Sequence, residues 1–138
     1  MTTAFIPAFT TSAIVERPAP EVWARLTDWP AAPAWMPGVD SVRVEGERLT
    51  FRARGRERTG RVEVVEPGRT VVLHSAQGGV SAAYTYTCEP DGDRTRVALT
   101  ADCRAGGVWR PFGGLLRAAI RRADGGQLAA FKQVVEAG

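Results

Sequence analysis

The chain holds few of the side chains that usually do chemistry. His74 is the single histidine, Cys88 and Cys103 are the two cysteines, and Tyr84 and Tyr86 are the two tyrosines. One imidazole and two distant thiols cannot assemble a conventional zinc site. The sequence has no Gly-x-Ser-x-Gly elbow, no P-loop and no dinucleotide fingerprint. A Ser-His-Asp triad would have to run through His74, and nothing around that residue supports one. Metal and covalent hydrolytic chemistry are therefore set aside, and no cofactor is expected. Tyr84 and Tyr86 are the most interesting polar groups. A buried tyrosine hydroxyl needs a hydrogen-bond partner, and inside a cavity that partner can be a ligand carbonyl. Tyr86 is the first candidate for a general acid or base.

Charge is concentrated in arginine. Seventeen of the 18 cations are Arg, Lys132 is the only lysine, and the net charge is +3. Arg43, Arg48, Arg52, Arg54, Arg56, Arg58 and Arg61 crowd one stretch, which on its face suggests a phosphate-binding surface. Glu45, Glu47, Glu57 and Glu63 break that stretch, and few aromatics are interleaved with it. Tight nucleic-acid binding rests on counterion release from a concentrated positive surface. No nucleic acid is expected as a partner, and the arginines fit a coding bias towards Arg, Ala, Gly and Val.

These groups must be positioned by elements legible in the residue pattern. Residues 8–17 are rich in β-branched side chains and predict a strand, broken by Pro18 and Pro20. Pro20 suits the first turn of a short helix, with Glu21 near its positive end and Val22, Trp23 and Leu26 on its buried stripe. Pro30, Pro33 and Pro37 limit the next segment to one helical turn at most. That segment also holds Trp29, Trp35 and Met36, so it must pack on something.

From Val39 to Arg104 the period is two. Leu49, Phe51 and Ala53 alternate with polar residues, as do Val62 and Val64, Val71 and Leu73, and Tyr84, Tyr86 and Cys88. Val97, Leu99, Ala101 and Cys103 do the same after the turn Pro90-Asp91-Gly92-Asp93. A turn centred on Asp91-Gly92 opposes Tyr84 to Leu99 and Tyr86 to Val97. It also parts the two cysteines by about 25 Å at ~3.3 Å per residue, too far for a disulfide. His74 has the parity opposite to Leu73, and Asp102 and Arg104 the parity opposite to Cys103, so all three are expected on the outer face. Arg52 and Arg54 share that outward parity, although a one-residue bulge would turn them inward.

After the Gly-rich apolar stretch containing Trp109 and Phe112, the period becomes 3.6. Leu116, Ile120, Ala123, Gln127, Ala130, Phe131 and Val134 share one stripe of a helix of about 23 residues, interrupted by Gly125-Gly126. One apolar sheet face and one apolar helix stripe must cover each other. About seven strands with short turns form a curled antiparallel sheet around this helix, and such a grip leaves room for an internal cavity.

The 138 residues fit one domain spanning 1–138. No apolar run approaches the ~20 residues of a membrane span. The first ten residues lack the pattern of a secretory signal, so a cytoplasmic protein is expected.

Several motifs together resemble the SRPBCC superfamily, the START and pollen-allergen-like helix-grip fold. They are Val15-Glu-Arg-Pro-Ala-Pro-Glu-Val-Trp-Ala-Arg-Leu-Thr-Asp28, Trp35-Met-Pro-Gly-Val-Asp-Ser-Val42, Gly60-Arg-Val-Glu-Val-Val-Glu-Pro67, Glu89-Pro-Asp-Gly-Asp-Arg-Thr-Arg-Val97 and Leu128-Ala-Ala-Phe-Lys-Gln-Val-Val-Glu136. The resemblance runs nearly end to end and is nearest to the polyketide cyclase/dehydrase and lipid-transport proteins. It implies an α+β helix-grip fold with two short helices after the first strand and a ligand cavity. Gly125-Gly126 departs from the pattern, since relatives usually continue a charged helix there.

The residues expected to line the cavity are Phe51, Leu73, Tyr84, Tyr86, Leu99, Leu116, Ile120 and Phe131, with Val62 and Val97 beside them. Trp35, Met36, Trp109 and Phe112 are expected at its mouth. Three functions remain open at this point. A carrier would hold a small hydrophobic polyketide-, lipid- or isoprenoid-like molecule. A polyketide cyclase or aromatase would fold a poly-β-keto chain in the same space by positioning it. A partner-binding protein would use its Trp-rich loops without a ligand. A monomer or a homodimer is expected.

Overall fold

A computed structural model of the chain describes residues 6–36, 39–53, 55–77, 80–105 and 127–137. Its strands are β1 (Ile6–Val15), β2 (Val39–Glu45), β3 (Arg48–Ala53), β4 (Arg56–Glu66), β5 (Thr70–Gln77), β6 (Val80–Asp91) and β7 (Arg94–Ala105). They form one antiparallel sheet in the spatial order β1-β7-β6-β5-β4-β3-β2. Strands β2 to β7 follow one another as a meander, which short turns require. Strand β1 pairs with the last strand instead, so the segment between β1 and β2 must cross the sheet. It does so as helix α1 (Ala19–Leu26) and a 3-10 helix (Trp29–Ala34). The helix α2 (Gln127–Ala137) follows near the end of the chain.

Local chemistry accounts for the crossing segment. Pro18 sits at the N-cap of α1 in an extended conformation, and its carbonyl accepts from the N–H groups of Glu21 and Val22. Val22 and Leu26, four residues apart, are fully buried. The prolines do stop an α-helix after Thr27, but they allow two turns of 3-10 helix where one turn was predicted. The tighter 3-10 bonding tolerates Pro33 and brings Trp29 and Ala32 to the buried side. The first strand also begins two residues earlier than the sequence suggests and ends at Val15.

The β6–β7 hairpin corrects one expectation. The tight loop is Gly92-Asp93, with Gly92 at φ 63°, and Asp91 pairs with Arg94. Glycine takes that left-handed conformation without steric cost, so it draws the turn one residue onward. Tyr84 therefore opposes Ala101 and Tyr86 opposes Leu99, not Leu99 and Val97. Facing is unchanged because the slip is an even one. Cys103 pairs with Ala82, which leaves it about 20 Å from Cys88 along the strands at ~3.3 Å per residue.

One face of the sheet carries Val15, Leu49, Val71, Leu73, Tyr86, Cys88, Val97, Leu99 and Ala101, all buried. This concave face receives α1 and α2, which pack chiefly on β1, β6 and β7, while the 3-10 helix packs on β2. Strand β4 passes close to β5 at Gly60. A Cβ there would lie 2.7 Å from the His74 carbonyl oxygen and 3.3 Å from the Phe51 ring, so the close approach of β5 requires glycine.

The far end of α2 is tied down by polar contacts. Lys132 Nζ donates to the Ile14 carbonyl and to Glu136 Oε2, each at 2.6 Å. The Glu16 N–H donates to the same carboxylate at 2.8 Å, and Arg17 Nη2 donates to the Glu136 carbonyl at 2.6 Å. The only lysine of the chain thus joins α2 to the first strand. Its bond to Glu136, then the Glu16 N–H, hold the Glu136 carboxyl below the usual glutamate range.

Candidate functional site

Tyr86 lies at the centre of the concave face and is fully buried. Trp29 and Trp35 meet its ring edge-on at 6.4 and 6.1 Å, and Trp35 meets Phe131 of α2 at 5.0 Å. Edge-to-face pairs of this kind are worth about 0.5–1.5 kcal/mol each beyond burial. The Tyr86 hydroxyl donates to Gln127 Oε1 at 2.5 Å, across from β6 to the first turn of α2. Gln127 is itself only 4 % exposed. A polar pair this deep costs free energy unless satisfied, and each group here supplies a partner to the other.

The predicted stripe on α2 turns slightly. Leu128, Phe131 and Val135 are buried, while Ala130 and Val134 are half-buried. Trp35 is part of the closed cluster, at 3 % exposure, and not at a rim. Met36 beside it is half-buried. Leu73 and Leu99 are buried on neighbouring strands, with Val97 beside Leu99. The structure therefore brings Trp35, Leu73, Tyr86, Leu99 and Phe131 together.

Towards β4 and β3 the same face opens. Phe51, Val62 and Tyr84 are half-buried. Val44 and Val64 are exposed by 39 % and 49 % although both have concave parity. A groove of about 330 Å³ runs here, lined by Trp29, Gly46, Glu47, Val62, Glu63 and Val64. Small-molecule sites begin at about 300 Å³ and are mostly apolar with a few polar groups.

Charged groups are sorted by the pleat. Arg61 and His74 oppose one another on the convex side, where His74 Nε2 meets Glu63 Oε1 at 2.9 Å. Asp102 has the convex parity as well, and Arg52 is exposed opposite Glu57. Two arginines differ. Arg58 opposes Phe51, and Arg56 opposes Ala53, so both take the concave parity. Cys88 is fully buried, and burial pushes its thiol up to about 11. A thiol so protonated is a poor nucleophile.

Sequence reasoning missed four participants. Trp29 was placed in an apolar loop with no assigned role. Gln127 was counted into the helix stripe, where a polar residue among apolar ones was the available signal. Arg56 and Arg58 were absorbed into the arginine run, although their parity with Val62 was readable. Trp109, Phe112, Leu116 and Ile120, together with Arg54 and the Gly125-Gly126 interruption, lie outside the described residues.

Comparison with known proteins agrees with this architecture. The di-domain ARO/CYC BexL from the BE-7585A biosynthetic pathway superposes with a TM-score of 0.78 at 25 % identity, over 93 % of this chain and 46 % of that one. This chain thus spans about half of that di-domain protein. The Zhui aromatase/cyclase from Streptomyces sp. R1128 gives 0.75 at 21 % identity, over 93 % and 92 % of the two chains. A START superfamily protein from Mycobacterium smegmatis gives 0.71 at 17 % identity, over 94 % and 97 %. No protein of curated function matches this chain by sequence. Among the described residues no helix is long and apolar enough to cross a membrane. The sequence matches the family described as polyketide cyclase/dehydrase and lipid transport over residues 7–136, and with its curled seven-stranded sheet and terminal helix the chain belongs to that family.

Proposed function

We propose that this chain binds a small apolar molecule, of polyketide, lipid or isoprenoid type, against the concave face of its sheet. The observation that carries this reading is the groove of about 330 Å³ beside Trp29, Val62 and Val64, on a sheet face where Phe51 and Tyr84 are also half-buried. Apolar side chains that remain partly wet after folding gain about 25 cal/mol for each Å² a ligand covers. The adjoining cluster of Trp29, Trp35, Tyr86 and Phe131 gives that ligand a rigid wall. Titration with a panel of apolar ligands, read by tryptophan fluorescence, tests this directly. Saturable quenching or enhancement by at least one ligand class is expected. A flat response across the panel contradicts it.

A second reading is favoured by the Tyr86–Gln127 pair and by the names of two structural neighbours, which are aromatase/cyclases. In that reading the pocket folds a poly-β-keto chain while excluding water. Tyr86 exchanges its bond to Gln127 Oε1 for one to a carbonyl of the chain, which acidifies the neighbouring CH₂ group. Gln127, its side-chain amide turned over, then donates from Nε2 to the phenol oxygen and holds it in place. Most of the acceleration comes from holding reacting carbons in contact. Incubation with a poly-β-ketone surrogate, with product analysis, decides between the readings. Faster cyclisation by the native chain, reduced in Tyr86→Phe, supports the enzyme. Unchanged cyclisation in Tyr86→Phe removes Tyr86 from that role.

A further inference from the structure

We infer that the ligand of this site carries a carboxylate, held at the β3–β4 end of the concave face by Arg58 and Arg56; this inference rests on the ligand-binding reading above. Strand β4 presents Arg56, Arg58, Gly60, Val62 and Val64 on one side by its pleat, and the register with β3 continues unbroken from Arg48↔Arg61 to Ala53↔Arg56. Arg58 therefore stands next to Phe51, on the face that continues to Val62 and the groove. Neighbouring arginines differ: Arg48, Arg52 and Arg61 take the convex parity, Arg43 lies 3.2 Å from Glu45, and Arg69 lies 4.0 Å from Glu66. Neither Arg56 nor Arg58 forms an ion pair with any described residue. On the paired positions of the concave face among the described residues they are the only charged side chains, with no acidic residue beside them.

Two cations with no acidic residue at a paired concave position make this end of the face positive, while Glu47 and Glu63 border the groove at its other end. The guanidinium is planar and matches a carboxylate through two parallel hydrogen bonds. Val62 lies four residues from Arg58, roughly 13 Å at ~3.3 Å per residue. That is the reach of a medium-length acyl chain with its head at Arg58 and its tail beside Trp29. Gly60 lies between them, and the absent side chain leaves Phe51 and Leu73 as the surface the chain would cross.

The test compares dodecanoate with dodecan-1-ol, two probes with the same tail and different heads, by titration of the native chain and of an Arg56→Gln/Arg58→Gln variant at low salt. Native protein should bind the acid about fivefold more tightly than the alcohol, the preference an exposed charge pair supplies. The variant should bind both equally, with the affinity for the alcohol unchanged. The constant alcohol affinity also reports that the variant is folded. Equal affinities in the native chain, or a preference retained in the variant, would overturn the carboxylate assignment while leaving ligand binding intact. No binding of either probe would overturn the ligand-binding reading and this inference with it.

Discussion

Strands β6 and β7 and strands β3 and β4 carry the same alternation of apolar and polar residues, yet their concave faces differ. On β6 and β7, Tyr86, Cys88, Val97 and Leu99 are wholly buried. On β3 and β4, Val64 keeps 49 % of its surface and Phe51 and Val62 are half-buried, with Leu49 the buried exception. The difference comes from what lies above them. Helices α1 and α2 pack on the β1-β7-β6 side, and the aromatic rings of Trp29, Trp35 and Phe131 fill the gap over Tyr86. One side of the sheet thus holds the fold together, and the other retains apolar surface that a ligand can cover.

This contrast predicts that equal truncations have unequal effects. The largest stability effect should come from Phe131→Ala, which removes a buried ring touching Trp35. Loss of about 3–5 kcal/mol is expected in denaturant unfolding, from lost burial plus the cavity left behind. A loss below about 1 kcal/mol would show that α2 does not seal this side. Tyr86→Phe keeps the ring but withdraws the hydroxyl bonded to Gln127. About 1–2 kcal/mol should be lost, because Gln127 stays buried. Phe51→Ala sharpens the comparison from the open side. Its stability cost should fall near 1 kcal/mol, since the ring is only half-buried, while affinity for an apolar ligand drops several-fold. The reverse order, with Phe51→Ala costing more stability than Phe131→Ala, would break the contrast.

The smallest effect concerns pH. The bond from Lys132, then the Glu16 N–H, hold the Glu136 carboxyl below its ordinary range. A carboxyl with a lowered folded-state value stabilises fully above its unfolded value of about 4.3 and loses that contribution as pH falls through the lower folded value. Glu136→Gln should flatten this acid limb of the stability profile and leave the rest of the curve parallel. An unchanged acid limb would mean that the link between α2 and β1 does not depend on that charge.

Much of the fold was legible because period and punctuation point the same way. Period two from Val39 to Arg104, prolines after the first strand and a final apolar helical stripe together dictate a curled sheet gripping a helix. The register of the last hairpin was misread by one turn residue, since Asp91-Gly92 and Gly92-Asp93 are both acceptable loop centres until Gly92 commits to a positive φ. The site was less legible. Alternation says which face a residue takes but not what covers that face, so Trp35 was expected at a rim and is found in the core. The partner of Tyr86 comes from a helix 41 residues later, a distance no local pattern reports. Arg56 and Arg58 have a parity written in the sequence, but a run of seven arginines hides two that differ.

The central claim is that the open half of the concave face holds a ligand, and a native mass spectrum of freshly purified protein tests it most directly. Beside a denatured spectrum, the account predicts an added mass of a few hundred daltons, on the order of one ligand filling such a site, that disappears on unfolding. Bare protein mass in both spectra, together with unchanged tryptophan fluorescence across the ligand panel, would contradict it.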